Sequence, residues 1–314
     1  MGRVNSNTSQ CVTTMMSEQL VECVPNFSEG RRLDCVDHIV DCFRQRAGVK
    51  LLDYTHDTDH NRMVVTAVGA PNAMKEAMLD AIGKAVELID LTHHTGEHPR
   101  LGAADVIPFI PIRNVTMEEA VLLARGVAEE AAKRFDLPVY LYEEAASAPH
   151  RQNLADVRKG GFEHLAEKMQ LPGWLPDFGP NYPHPTAGAS IIGARRFLVA
   201  YNINLNTNEL DIAKAIARTI RFSSGGLPFC KALGLRLESQ GMVQVSINLT
   251  NIEKTTLHQV FEMVRMEAAR YGVSVANSEL IGLMPLQALV DTTAYYLQLS
   301  DFSADRVLEH AIWE

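Results

Sequence analysis

Two pairs of apolar segments set the tightest limit on how this chain folds. Residues 49–55, VKLLDYT, and 62–69, RMVVTAVG, are separated only by the polar stretch HDTDHN, and residues 232–238 and 242–249 only by three residues. A parallel crossover needs a dozen or more residues, so each pair reads as an antiparallel hairpin. A strand and an amphipathic helix precede each hairpin. In the first half they are 20–27, ending near Pro25, and 32–46, where Leu33, Val36, Ile39, Val40 and Phe43 recur at helical spacing. In the second half they are 195–204 and 209–222. A helix and a further extended run follow each hairpin: 71–89 then 105–112, and 254–271 then 273–281. Pro71 suits a first helical turn, where its missing amide proton has no partner to lose. The order predicts an α/β (α+β) chain of two ferredoxin-like split βαβ subdomains, each an open sheet with helices on one face. One doubly wound sheet is disfavoured by the two hairpins.

The remaining segments refine that outline. Pro108 and Pro111 cannot donate to a central ladder, so 105–112 is expected at a sheet edge. Thr116 followed by Glu119 is a capping-box spacing, and it opens a helix running to about residue 135. A strand is expected at 138–144, a helix broken at Gly160–Gly161 across 153–168, and a last helix at 286–298. Five prolines punctuate 171–189, which makes this segment the expected boundary between an N-terminal subdomain at 17–180 and a C-terminal one at 181–314. Residues 1–16 are polar and aperiodic and read as a disordered, dispensable tail, with Met16 standing before the first structured run.

Composition narrows the function. The chain has 29 Lys and Arg against 38 Asp and Glu, a formal charge of -9, whereas a binder of nucleic acid through many phosphates is usually basic. No run is long and apolar enough to span a membrane, and the start lacks the apolar block of a signal peptide. The five cysteines have no CxxC spacing and an odd count, which fits a reducing, cytoplasmic compartment. Neither nucleic acid nor membrane is expected as a partner.

The densest reactive segment is 91–105, LTHHTGEHPRLGAAD. Thr92 and His93 read as residues capping the preceding helix at its C-terminus. His98 stands clear of that helix between Glu97 and Pro99, where an imidazole can be aimed at a ligand and exchange protons near neutral pH. A second segment, ECVPNFSEGR at 22–31, offers Asn26 and Ser28 before a helix N-terminus, a place that favours carboxylates and phosphates. Asp59-His60-Asn61-Arg62 leads into a strand, and SSGGLPFCKALG at 223–234 holds Lys231 among glycines. In 243–249 the polar Gln244, Ser246 and Asn248 alternate with apolar residues and present a polar sheet face. His56 and His60, with Asp57 and Asp59 between them, keep a metal-dependent hydrolase open as an alternative, although no specific ligand pattern is met.

VECVPNFSEGR, LLDYTHDTDHNRMVVTAVG, LIDLTHHTGEHPRLGAADVIPFIPIR, LPVYLYEEA and GARRFLVAYNINLNT together resemble the formiminotransferase family, the glutamate formimidoyltransferases also found as one part of a bifunctional folate enzyme. The resemblance covers about residues 19–300. It implies two ferredoxin-like α/β subdomains, a homodimer, and transfer of the formimino group from N-formimino-L-glutamate to the N5 nitrogen of tetrahydrofolate, a step of histidine degradation and one-carbon metabolism. Tetrahydrofolate is then a co-substrate, with no bound cofactor and no metal. The histidine of GEHPR, His98, is the implied acid–base residue. Asn26, Asp57, Asp59, Arg62, Arg100, Lys231, Gly234 and Asn248 are the expected contacts to folate, and Arg62, Arg100, Arg113 and Lys231 the expected source of positive charge for the substrates' carboxylates. The family's acidic residue near the pterin falls on Thr55, with Asp57 or Asp59 as its replacement. No cyclodeaminase part is expected in this chain. A non-catalytic folate-binding protein is the other alternative.

Overall fold

The structure is a computed structural model that describes residues 19–44, 46–58, 60–96, 99–237 and 240–313. The expected tail at 1–16 lies outside them. The chain divides into two compact units between Arg195 and Arg196.

The first unit runs β1 (Leu20–Cys23), β2 (Asn26–Phe27), α1 (Leu33–Arg44), β3 (Val49–Asp57), β4 (Arg62–Gly69), α2 (Pro71–Leu88), β5 (Ala104–Arg113), α3 (Met117–Phe135), β6 (Val139–Glu143), α4 (Leu154–Arg158), α5 (Leu165–Met169) and β7 (Ser190–Ala194). They build a mixed seven-stranded sheet. β3 pairs β4; β4 pairs β1 and β2; β5 pairs β1 and β2 on one side and β7, in parallel, on the other; β6 lies beyond β7. Local pattern accounts for the elements. Along β4 burial alternates strictly, with Met63, Val65 and Ala67 inside. In α1 the buried residues are Cys35, Val36, Ile39, Val40 and Phe43, one stripe of a 3.6-residue period. α1, α2 and α3 cover one face of the sheet with a single apolar core.

Three expectations are corrected here. First, β5 is a central strand, and its prolines are tolerated for a geometric reason. A strand residue points its N–H and C=O at the same neighbour. The Pro108 carbonyl accepts from Val24 N–H, so its missing amide faces the kink between β1 and β2, where the ladder is already interrupted. The Phe109 carbonyl accepts from Arg195 N–H, so Pro111, two residues on, faces past the end of β7. Second, the sheet is not covered on one face only. Around β6 and β7 the opposite face is closed by Val157, Leu165 and Met169 of α4 and α5, packed on Val106, Tyr140, Tyr142 and Ile191. This double burial explains the unbroken VYLY of β6. Third, β7 falls after the expected division at 180/181, yet it belongs to the first unit. The proline-rich stretch before it is bound to that unit by Val139 N–H to Phe178 O (2.9 Å), Leu91 N–H to Thr186 O (2.8 Å) and a buried Arg151–Asp177 ion pair (2.8 Å).

The second unit runs β8 (Val199–Leu205), α6 (Leu210–Ile220), β9 (Cys230–Leu237), β10 (Met242–Leu249), α7 (Leu257–Arg270), β11 (Val275–Ile281), α8 (Leu286–Leu297) and α9 (Leu308–Trp313). Its sheet has the order β11-β8-β10-β9, antiparallel throughout. Val243, Val245, Ile247 and Leu249 join the core with Ala213, Ile216 and Ala217 of α6 and Val260 and Val264 of α7. On the other sheet face, Gln244 donates to Asn204 (2.9 Å) and Asn204 to Asn277 (2.7 Å), a polar ladder across three strands. Among the described residues no helix is long and apolar enough to cross a membrane.

Candidate active site

Three segments distant in sequence meet at one end of the first unit's sheet: the β2–α1 loop, the β3–β4 hairpin and the stretch between α2 and β5. The first is shaped by Glu29. Its carboxylate, buried at 4% exposure, accepts from the backbone N–H of Gly30, Arg31 and Arg32 at 2.9–3.0 Å and pairs with Arg32 Nε at 2.6 Å. Burial alone would raise this carboxyl, but the amides and Arg32 outweigh it, and Glu29 titrates below the ordinary carboxylate range. The anion at the start of α1 is thus the protein's own, and these amides are not open to a ligand. Ser28 does not cap the helix; its hydroxyl donates to Gly102 O at 2.7 Å.

The hairpin turns through Asn61, whose φ of 47° lies in the left-handed region that Asn enters more readily than most residues. Its side chain stitches all three segments: Oδ1 accepts from Gly30 N–H (3.0 Å), Nδ2 donates to Thr95 O (3.0 Å), and its backbone carbonyl accepts from His94 Nε2 (3.0 Å). Arg31 adds bonds to Thr58 O and Thr95 Oγ1. The close fit needs glycine. A Cβ on Gly30 would fall under 3.0 Å from backbone atoms of Asp57 and Arg62, and one on Gly96 equally close to the His60 carbonyl.

The result is a narrow polar recess lined by Ser28, His60, Asn61, Arg62, His94 and Arg100, together with Asn26, Phe27 and Asp105. Its open space is about 190 Å³. Arg62 donates to Asn26 Oδ1, and Asn26 Nδ2 to Val24 O. Burial, and then the Arg158 guanidinium, push Arg62 down to about 10, which leaves it charged at neutral pH. Asp105, 3% exposed, accepts from Leu101 N–H (2.7 Å) and pairs with Arg158. Arg100 donates to His94 O (3.2 Å) and Glu163 (2.7 Å). Among the described residues, the buried Nε atoms of Arg62, Arg100 and Arg158 have no hydrogen-bond partner.

The expected site residues divide as follows. Asn26, Arg62 and Arg100 share the recess. Asp57 stands at its rim through His60, whose backbone N–H (2.7 Å) and ring Nδ1 (3.0 Å) both contact the carboxylate. His98 and Asp59 lie outside the described residues. Arg113 is not part of this site: it ends β5 eight residues from Asp105, roughly 26 Å along an extended strand. Thr92 and His93 do not cap α2, which ends at Leu88; Thr92 instead bonds Asp90 (2.6 Å), and the exposed His93 approaches the same carboxylate at 4.0 Å. Sequence reasoning underrated His94 and named Asn61 without giving it a role, although an Asn in a short polar turn between two strands was a usable signal.

In the second unit, Lys231 and Asn248 are cross-strand partners on β9 and β10 and line an open hollow with Arg221, Phe222, Phe229 and Leu233. By the same measure its space is about 1130 Å³. Gly234 does not join them. It faces the other side of β9, where a Cβ would meet the backbone of Ala213 and Lys214, so its lack of a side chain lets α6 close onto the sheet.

Known proteins with this sequence pattern agree in family. Residues 20–195 match the Formiminotransferase domain, N-terminal subdomain, and residues 200–311 the Formiminotransferase domain. The chain is 49% identical over 284 residues to a glutamate formimidoyltransferase of Streptococcus pyogenes serotype M1, covering 90% of this chain and 95% of that protein. It is 50% identical over 292 residues to a glutamate formimidoyltransferase of Thermoplasma acidophilum, covering 92% and 96%. It is 45% identical over 284 residues to the formimidoyltransferase-cyclodeaminase of Mus musculus, covering 88% of this chain and 52% of that longer protein. With both matches spanning its two units, this chain belongs to the formiminotransferase family.

Proposed function

We infer that this chain is a glutamate formimidoyltransferase, moving the formimino group from N-formimino-L-glutamate to the N5 nitrogen of tetrahydrofolate and releasing L-glutamate. The observation that carries the reading is the convergence of Asn26 and Ser28, of His60, Asn61 and Arg62, and of His94 and Arg100 on one recess, in a chain of this family.

The chemistry needs little beyond what such a recess supplies. N5 attacks the amidine carbon and must lose a proton; the departing glutamate nitrogen must gain one. His98 takes the first proton as general base. Arg62 and Arg100 supply positive charge for substrate carboxylates, with Asn26 holding Arg62 in place. Positioning two substrates together accounts for much of the remaining barrier. Thr55 and Asp57 lie on one face of β3, two residues apart, which supports Asp57 in the place of the family's acidic residue. On the folate side, Lys231 and Asn248 offer a cation and an amide beside the rings of Phe222 and Phe229.

The strand orders support the finer reading of the fold. β5, β1/β2, β4, β3 in the first unit and β11, β8, β10, β9 in the second run in corresponding sequence, as expected of two split βαβ halves, the first extended by β7 and β6. Exposed Leu280, Ile281, Leu283, Leu289, Leu297 and Leu299 give the second unit apolar surface of the kind a homodimer covers. On this reading the enzyme is a cytoplasmic homodimer acting on small-molecule substrates.

Incubation with formiminoglutamate and tetrahydrofolate, with and without chelator, tests the reading. Release of glutamate unaffected by chelation is expected. Loss of activity on chelation favours a metal-dependent hydrolase, and folate binding without glutamate release a binding protein.

A further inference from the structure

Formimino transfer requires a proton to leave N5 and another to reach the glutamate nitrogen, and the histidines near the recess are not equivalent for that second task. His56 is held by its Nδ1 on the Gly30 carbonyl at 3.2 Å. His93 is exposed and approaches Asp90 at 4.0 Å. His94 uses Nε2 to bind the Asn61 carbonyl, and its Nδ1 is sealed from solvent with no partner among the described residues. His60 differs from all three. It lines the recess, its ring is 51% exposed, and its Nδ1 lies 3.0 Å from an oxygen of Asp57, which also accepts the His60 backbone N–H at 2.7 Å. A carboxylate on Nδ1 fixes the tautomer and orients the ring, and Nε2 is then the nitrogen through which the ring passes a proton.

We propose that His60, oriented by Asp57, is the general acid that protonates the departing glutamate nitrogen. The proposal rests on the formimino-transfer reading above. In the step, the N5 lone pair bonds to the amidine carbon and the N5 proton passes to the general base. The bond from that carbon to the glutamate nitrogen then breaks, its electron pair stays on nitrogen, and the proton from His60 Nε2 completes the amine. His60 regains a proton from solvent as the base releases one, so the cycle closes without another reagent. Among the described residues, the charged and titratable groups around His60 are Asp57 on its own hairpin, Arg31 just before α1, Arg62 on β4, His94 and Arg100 in the α2–β5 stretch and Asp105 on β5. Two catalytic groups in opposite protonation states give a bell-shaped dependence of kcat/KM on pH.

The test is single-turnover transfer measured across pH for the wild type, His60→Gln and Asp57→Asn, with thermal midpoints as a check on folding. The wild type is expected to give a bell. His60→Gln is expected to lose about 10²-fold in turnover, the low end for one acid–base group, with KM little changed and the alkaline limb gone. Asp57→Asn keeps the ring but loosens its orientation, so turnover falls less than in His60→Gln, with KM and the thermal midpoint little changed. A merely structural role would lower the midpoint and leave the limb in place. Near-wild-type turnover of His60→Gln, or a bell retained in both variants, overturns the proposal. If His60→Gln does not fold, Asp57→Asn decides alone: lower turnover at unchanged KM and midpoint supports the proposal, and wild-type turnover overturns it. Absence of transfer by the wild type instead defeats the functional reading itself.

Discussion

Glu29 and Gly30 show how much of the site depends on single residues whose work is structural. Glu29 occupies the amides that would otherwise draw a ligand's carboxylate to the start of α1. Gly30 lets the loop lie directly on the β3–β4 hairpin. Gly30→Ala drives a Cβ into backbone atoms of Asp57 and Arg62 that have no flexible end to give way. It is expected to cost about 1–3 kcal/mol, as overpacking does, and to lower turnover by separating the loops; chemical denaturation and the transfer assay on one preparation read both. His98 carries a different expectation. His98→Ala should lower turnover by about 10²–10⁴-fold while folate affinity changes far less, because the role proposed for the ring is proton transfer and not contact with the pterin. Loss of affinity in proportion to turnover, by equilibrium titration, would make it a ligand-holding residue.

At the scale of elements, local sequence and tertiary context contributed unequally. α3 is nearly autonomous in its signals: Thr116 Oγ1 accepts from Glu119 N–H at 3.2 Å, and Glu119 returns the bond to Thr116 N–H at 2.7 Å. The predicted capping box is therefore present. Thr116→Ala should cost about 1 kcal/mol in urea unfolding with no change in turnover, since α3 meets the sheet away from the recess. β5 is the opposite case. Its two prolines argue for an edge by any local rule, yet it lies in the middle of the sheet, because each missing amide falls where a neighbouring strand kinks or ends. Only the positions of β1, β2 and β7 reveal that. The stretch 171–189 was misjudged for a related reason: its prolines mark irregular backbone, and irregular backbone can pack on a domain as well as divide two.

Across the whole molecule, burial of neutral histidines ties stability to pH. His94 in the first unit, His184 in the same unit and His258 in the second all titrate below the ordinary histidine value of about 6.5, each chiefly through burial. For His184 the geometry agrees, since its Nδ1 accepts from Ala187 N–H at 3.0 Å and has no place for a proton. His258 stacks on Tyr295 with ring centroids 4.3 Å apart. A histidine whose folded value is lowered binds protons more readily when unfolded. Its contribution is fully present above about pH 6.5 and is lost as pH falls toward the folded value. The thermal midpoint is therefore expected to hold between about pH 7 and 8 and to decline below about 6.5. His94→Gln keeps a donor for the Asn61 carbonyl and should flatten part of that decline; scanning calorimetry across the range checks both. An unchanged slope would mean that His94 does not titrate with folding.

The sequence by itself determined most of the elements, the two hairpins and the family. These depend on periodicity, caps, turn length and motif, all of which act over a few residues. It also named Asn26, Arg62 and Arg100, which line one recess. Tertiary structure alone decided which side chains converge and what each has left to offer. It set Glu29 on the amides of α1, buried His94 against Asn61, put Gly234 under α6 and brought Asp57 to the ring of His60. It also removed Arg113, a charged residue no different in sequence from Arg100, to the far end of β5. The reason is physical: a hydrogen bond or an ion pair depends on separations of about 3 Å, and distance between segments remote in the chain is set by how sheets and helices pack, which no local pattern encodes.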